Sequence, residues 1–414
     1  MPVGTVLRMM RQPPTGLRQL TLANVLTDAT RLANVEGDGL PFGSGYGVWP
    51  AATNLCINGN ATTNTTGITD NSSTTSRVTS GVVKFGTTAF EVVSSNLAAN
   101  EGPSQSVSGG AGSTQYTVSA WAWLISGAAT VRATLSDSVA GKQGGTAVAL
   151  TTTPQKITVT ATTGALGASV ASFIETTVQQ AGTWRCGGWQ VETGNVATPY
   201  VQTDGGTATR SAGRVQVPVS GLFSATQAWV AVRLVPGWAS ASPPGTSEAG
   251  VFEWGDGTFN NRLVLTWVEA TSEWVVARAT GGTYGNSAVS ADTFAASTAI
   301  TLIGAFEATQ TRISVDGAAF SNAANTTIPD LSAVALADIG AETADLSRKQ
   351  AGHNPWAVIG KGSLTDADAA RINSWGNTVP TLAQIAMLSF ASKPTLLIPA
   401  KTADAVLLPA YFGG

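Results

Sequence analysis

Few residues in this chain could do chemistry, and their spacing argues against a catalytic centre. The single histidine, His353, sits in the loop AGHNPW with no nucleophile signature near it, so a Ser-His-Asp arrangement would have a base and no partner. His353, Cys56 and Cys186 are all the histidine and cysteine present, which excludes a zinc site needing several such ligands. Glu253 and Asp256, in FEWGD, differ by three positions and so point to opposite faces of a regular strand; they read as a strand end entering a turn. Carbohydrate recognition needs different parts: an aromatic face for the apolar side of a sugar ring and a few polar groups to orient its hydroxyls. Most of the 12 Trp lie at strand positions where core packing accounts for them. Trp184, Trp238 in VPGWASASPP, Trp254 beside Asp256, and Tyr284 in TGGTYGN lie instead at run ends or in loops. Trp184, Trp238, Trp254, Asp256 and Tyr284 are therefore the candidate glycan contacts, since loops at the rim of a sandwich are where ligands are usually bound.

The elements that would carry these residues are β-strands. The 414 residues include 46 Gly and 18 Pro, with 43% hydrophobic and only 11% charged residues. The apolar content is enough to offset chain entropy, so disorder is excluded. With 22 Lys+Arg against 25 Asp+Glu, the formal charge is -3, which excludes a nucleic-acid binder built on a broad basic surface. Low charge in a long β chain also removes the usual defence of strand edges, and implies surface covered by other subunits. No run reaches the 18 to 20 apolar residues that a bilayer crossing requires, so a soluble chain without membrane insertion is expected. Arg8, Arg11 and Arg18 with Pro13-Pro14 interrupt any signal-peptide core, so secretion is not expected. The Asn-x-Ser/Thr matches at Asn60, Asn64, Asn71 and Asn325 then read as chance.

Period-two runs bounded by Gly, Ser, Thr and Asn occur in two series. They predict an all-β fold: two antiparallel β-sandwich (jelly-roll) domains in tandem, over 52–207 and 208–378, with an N-terminal arm (1–51) and a short helical or extended C-terminal tail (379–414). Trp121 and Trp123 lie two apart and must share a sheet face, read as core-facing. Asp316-Gly317 predicts a type I′ turn. Thr365, with Asp366 and Asp368, predicts the one substantial helix of the second domain, between Leu364 and Trp375. The tail, with Leu382, Ile385, Met387, Leu388, Phe390, Leu396, Leu397, Ile398, Leu407, Leu408 and Phe412, is too apolar to stay uncovered, and predicts either an intersubunit contact or packing on the second sandwich.

GVWPAATNL (47–55) resembles the segment that opens a carbohydrate-binding-module-like jelly roll in many tailed-bacteriophage virion proteins. GGWQVETGNVATPYVQTDGGTATRSA (187–212) resembles the closing strand and exit linker of that module. ITLIGAFEATQTRISVDGAAF and AVIGKGSLTDADAARINSW are similar to the concanavalin-like (laminin-G-type) sandwich. This resemblance implies a non-enzymatic virion structural protein, a capsid spike, fibre or tail-associated adhesin that binds host-surface glycan. Its alternatives are a decoration protein that stabilises the particle without binding sugar, and a glycan depolymerase. The last lacks the E-x-D-x-x-E run of the concanavalin-like glycosidases. The implied partners are other virion proteins and further copies of the chain, threefold in the fibres it resembles, on the virion surface after synthesis in the host cytoplasm. No cofactor is implied; structural calcium is common in both resembled folds, with Asp204, Glu192 and Asp256 as available ligands and none singled out by spacing. Cys56 and Cys186 fall on the first and last strands of the resembled jelly roll, which run close together, so the two are expected within bridging distance, either joined or as buried thiols.

Overall fold

The computed structural model describes residues 19–21, 46–49, 51–81, 87–165, 169–210, 215–219, 223–244, 248–342, 350–378, 380, 395–399 and 404–408. Among these the chain is built almost wholly of antiparallel strands, as predicted, with one helix.

The first sandwich packs a five-stranded sheet on a six-stranded one. The five strands run in the order Gln155–Thr162, Gln115–Gly127, Ala181–Thr193, Ala89–Ser95, Ser73–Val78. The six-stranded sheet is centred on Thr130–Asp137 and Val170–Thr176. Alternation decides what enters the core: Tyr116, Val118, Ala120 and Ala122 of Gln115–Gly127 point inward with Ile157, Val159, Trp184, Cys186 and Trp189. Their neighbours Trp121 and Trp123 point the other way, and pack with Ala89 and Val78 on the outer face of the sheet. Both tryptophans are buried, at 7% and 0%, as the core reading of the pair expects, but in a cluster separate from the core between the two sheets. The alternating residues Ala120 and Ala122 are apolar as well, so a period of two could not say which set faces inward.

The second sandwich packs a nine-stranded sheet, with Gln227–Pro236 and Gly352–Lys361 near its middle, against a seven-stranded sheet containing Glu248–Gly255, Arg262–Val268 and Glu273–Thr280. Trp238, Trp267, Trp274 and Phe294 cluster in its core, with Trp267 and Trp274 ring centroids 5.0 Å apart. The other face of the nine-stranded sheet is covered by the helix Asp366–Asn373, whose Ala369 and Ile372 pack with Trp375 on Trp229, Ile303 and Trp356. Thr365 and Asp368 form the expected capping box. Asp316 and Gly317 both take positive φ, 48° and 77°, as a type I′ turn requires, and the strand Gln310–Val315 pairs on with Ser321–Ala324.

Parts of the arm and tail enter the same nine-stranded sheet. Tyr46–Val48 and Thr395–Pro399 both pair with Gly352–Lys361, and Asp404–Leu408 lies between Thr395–Pro399 and Gln19–Thr21. These strands follow the packing alternative for the tail; Leu382 to Phe390 lie outside the described residues. No helix among the described residues is long and apolar enough to cross a membrane.

Gly360 faces Trp229 across the ladder, and a Cβ there would come within 2.1 Å of the indole, which is fully buried. Gly360→Ala is expected to lower stability by about 1–3 kcal/mol through overpacking, seen as a lower denaturant midpoint in tryptophan-fluorescence unfolding.

Candidate functional site

Pairing of Gln155–Thr162 with Gln115–Gly127 sets Lys156 opposite Trp121, Thr158 opposite Ser119 and Thr160 opposite Thr117. Because side chains alternate along each strand, Trp121, Lys156, Thr158, Thr117 and Thr160 share the outer face of the sheet. The hydroxyls of Thr117 and Thr160 are 2.9 Å apart, and Thr117 also donates to the Gly194 carbonyl at 2.8 Å. This face forms one wall of a cleft of about 470 Å³, a size typical of small-ligand sites. The segment after Ala181–Thr193 supplies Asn195, Ala197 and Pro199; the second sandwich closes the cleft with Trp49, Gly237, Trp238, Ser242 and Ser297.

Several devices hold the walls in place. Asn195 donates its amide to the carbonyls of Ser242, at 3.2 Å, and Pro243, tying the first sandwich to the second. Gly237 admits Trp49, whose ring carbon would lie 2.9 Å from any Cβ at that position. Glu192 is fixed beneath the exit segment: its carboxylate accepts from Thr198 N at 2.8 Å, from Thr198 Oγ1 at 2.7 Å and from Gln190 Nε2 at 2.8 Å. Burial pushes the Glu192 carboxyl above the ordinary range, and the bonds from Gln190 and Thr198, with the charge of Lys156, only partly offset it. Two polar atoms of lining residues, Trp49 Nε1 and Asn195 Oδ1, are buried behind the walls without a hydrogen-bond partner. The arrangement suits a ligand with an apolar face for the indoles and hydroxyls for the threonine rows.

The residues singled out from sequence fall in different places. Trp184 is fully buried in the first core, and Trp254 is 4% exposed with its Nε1 donating to Val334 O at 3.2 Å; neither is an open platform. Trp238 does line the cleft, but as a buried wall 2% exposed, with Nε1 donating to Gln350 O at 2.7 Å. Run-end position misled here: Trp184 and Trp254 lie within the strands Ala181–Thr193 and Glu248–Gly255, and Trp238, just past Gln227–Pro236, packs into the second core. Asp256 and Tyr284 are exposed but lie outside the cleft lining. Asp256 is held in its turn by Thr258 and Asn261, whose hydrogen bonds outweigh burial and keep the carboxyl below the ordinary range. The Tyr284 hydroxyl meets Arg262, which is itself ion-paired with buried Glu253 and Glu342 at 3.4 and 2.7 Å. His353 is buried, which lowers its pKa to about 4 and leaves it neutral near pH 7.

Cys56 and Cys186 are both free and buried. Leu55 N bonds Val191 O, so Cys56 sits level with Val191, whereas Cys186 is five residues back along that strand, opposite Phe90 and Ala122. At about 3.3 Å per strand residue this exceeds the reach of a disulfide, and the expected bridging distance is corrected. Burial pushes the Cys56 thiol up to about 12 and that of Cys186 higher still. Asp204 accepts from Thr63 Oγ1 at 2.6 Å; among the described residues no group of three or more His, Cys, Asp or Glu could hold a metal ion, so Asp204, Glu192 and Asp256 are not gathered into a calcium site. What sequence reasoning missed was Lys156, Asn195 and the threonine rows. Their signal was the alternation of KITVTAT against YTVSAW, which puts polar and aromatic residues on one face once the two strands are paired.

No family model matches the chain, and no curated protein matches it. Solved structures similar to it include the tandem CBM22-1–CBM22-2 domain of Paenibacillus barcinonensis Xyn10C, at 12% identity over 74% of this chain and 97% of that one, with a TM-score of 0.29. Another is the enzymatically active domain of bacteriophage CBA120 tailspike protein 4, at 14% identity over 34% and 21%, TM-score 0.28. A third is a heptameric SAP-like pentraxin of Limulus polyphemus, at 10% identity over 39% and 76%, TM-score 0.32. At these identities and TM-scores none of the three bears on ligand or activity.

Glu192 carries a pH signature. Its folded pKa lies above its unfolded value, so its contribution to stability is fully present below the unfolded pKa and is lost as pH rises through the folded one. Thermal unfolding between about pH 4 and pH 8 should show Glu192→Gln gaining on wild type as pH rises and losing that advantage in acid. An unchanged difference across the range would show that the carboxyl does not titrate this way.

Proposed function

We propose that the protein is a non-enzymatic carbohydrate-binding component of a bacteriophage particle and that the cleft between its sandwiches holds the sugar. The observation that carries this reading is the joint wall of Trp121 and the threonine hydroxyls, on a rigid sheet face, closed from the other side by Trp49 and Asn195. An indole offers its face to the C–H side of a pyranose, and threonine hydroxyls both donate and accept, as sugar hydroxyls do. Sheet-borne groups also hold their geometry better than loop-borne ones.

The phage assignment draws on the segments at 47–55 and 187–212. They resemble the opening and exit of a phage virion module, and they contribute Trp49, Asn195, Ala197 and Pro199 to the cleft. A location on the virion surface, a homo-oligomeric, threefold assembly and contacts with other virion proteins complete the proposal. A decoration role without sugar is favoured by a different feature, a groove of about 450 Å³ lined by Phe223, Trp254, Ile328 and Leu331, in which Ile328 is 48% exposed.

Glycan-array binding by the full chain, followed by calorimetry on the best ligand, tests the reading. Trp121→Ala should weaken binding by about tenfold or more, ~1.4 kcal/mol, because it removes the aromatic wall; since Trp121 is only 7% exposed and packs with Trp123 and Ala89, it should lower stability as well. Trp184→Ala should cost about 3–5 kcal/mol of stability as a core truncation and leave binding by the folded protein unchanged. Undiminished binding by the Trp121 variant would move the site elsewhere, and an array blank with wild-type protein would leave the decoration role.

A further inference from the structure

We infer that the cleft selects acidic saccharides, with the Lys156 ammonium receiving the sugar's carboxylate; this rests on the cleft being the saccharide site. Lys156 is the only charged residue among the described residues that line it, and no carboxylate shares that lining. Other described cations of the first sandwich are engaged: Arg132 and Lys142 meet Glu175 at 3.1 and 2.6 Å, Arg185 meets Glu91 at 2.9 Å, and Arg77 donates to the carbonyls of Ala61 and Thr62. Lys156 makes no ion pair and no hydrogen bond among the described residues, although it is half-buried. The acid nearest to it in effect is Glu192, whose carboxylate is enclosed by Gln190 and Thr198 and does not line the cleft.

The half-buried Lys156 ammonium, with no salt bridge and only the longer-range field of the enclosed Glu192 to balance it, has lost part of its hydration and recovers it through an incoming anion. The ladder places Lys156 directly across from Trp121, so a ring laid against the exposed edge of this indole would carry its carboxylate to the ammonium. Thr117, Thr158 and Thr160 add hydroxyl donors to the same wall, which suits an acceptor-rich group such as a carboxylate. The ligand class that fits is a hexuronate or sialate residue within a surface polysaccharide. A charge-assisted bond is about twice as strong as a neutral one, so the discrimination should be measurable in a single residue.

The test uses the full chain on an array bearing uronate- and sialate-containing oligosaccharides, each beside its own methyl ester, which keeps the ring and hydroxyls and removes the charge. Wild type should bind one or more acid forms and lose about tenfold or more on the matched ester. Lys156→Met should bind acid and ester alike, Lys156→Arg should retain the preference, and both variants should keep the wild-type circular dichroism spectrum. Raised ionic strength should weaken the acid form selectively. Equal binding of acid and ester by wild type, or a preference that survives Lys156→Met, overturns the inference and leaves the saccharide site standing. A blank on every acid, ester and neutral sugar overturns both.

Discussion

The side-chain amide of Asn54 is the interaction on which the first sandwich and its cleft depend. The residue is fully buried, and its amide is used on both sides: Nδ2 donates to the carbonyls of Trp189 and Val201, at 3.0 and 2.9 Å, and Oδ1 accepts from the backbone N–H groups of Cys56 and Val191, at 3.0 and 3.2 Å. One side chain thereby fastens the entry segment to the closing strand and to the chain leaving it. A buried amide so satisfied is worth more in specificity than in net energy, since losing it would orphan several buried groups at once. Gln190, whose Oε1 accepts from Val201 N at 2.7 Å, and Glu192, which grips Thr198, continue the same network along the strand. The stretches at 47–55 and 187–212 are therefore the two halves of one hydrogen-bonded fastening, and the exit segment that it fixes becomes a cleft wall.

A second constraint is that central strands are covered on both faces. Gln115–Gly127 presents Tyr116 and Val118 to one core and Trp121 and Trp123 to another cluster. Gln227–Pro236 gives Val230 and Val232 to the second core and Trp229 and Ala231 to the helix side. Covering both faces leaves little sheet surface that needs charge, which accounts within one chain for much of the low charge content. The charges that remain are organised locally: Glu175 with Arg132 and Lys142, and Arg262 between Glu253 and Glu342. Buried carboxylates are tolerated where cations or several donors meet them, as with Glu101, which four hydrogen bonds from Ser95, Leu97 and Ala98 hold below the ordinary range despite its burial.

Lys156 departs from that economy, and the departure has a structural source. Its strand lies at the edge of the five-stranded sheet, and its one neighbour, Gln115–Gly127, has no carboxylate and sets Trp121 opposite Lys156, while the outer face of the strand borders the cleft. The cleft exists because two sandwiches, each with a complete core, meet at an unevenly covered sheet face. Neither sandwich alone supplies both walls.

Sequence by itself determined the class of fold, because alternation, turn residues and capping act locally. The period-two runs specify strands, Asp316-Gly317 the turn with two positive φ values, and Thr365 with Asp368 the helix start. Each signal lies within a few residues of what it specifies. Tertiary structure alone decided which face of a doubly apolar strand looks inward, which is why Trp121 and Trp123 are buried in a cluster apart from the core between the sheets while Trp184 and Trp254 lie within the sandwich cores. It also decided that Cys56 lies level with Val191 and not Cys186, because register depends on the partner strand and not on the chain's own pattern. The same reason hid the cleft. Trp49 and Lys156 are separated by more than a hundred residues, and only strand pairing and the meeting of two sandwiches bring them to one surface.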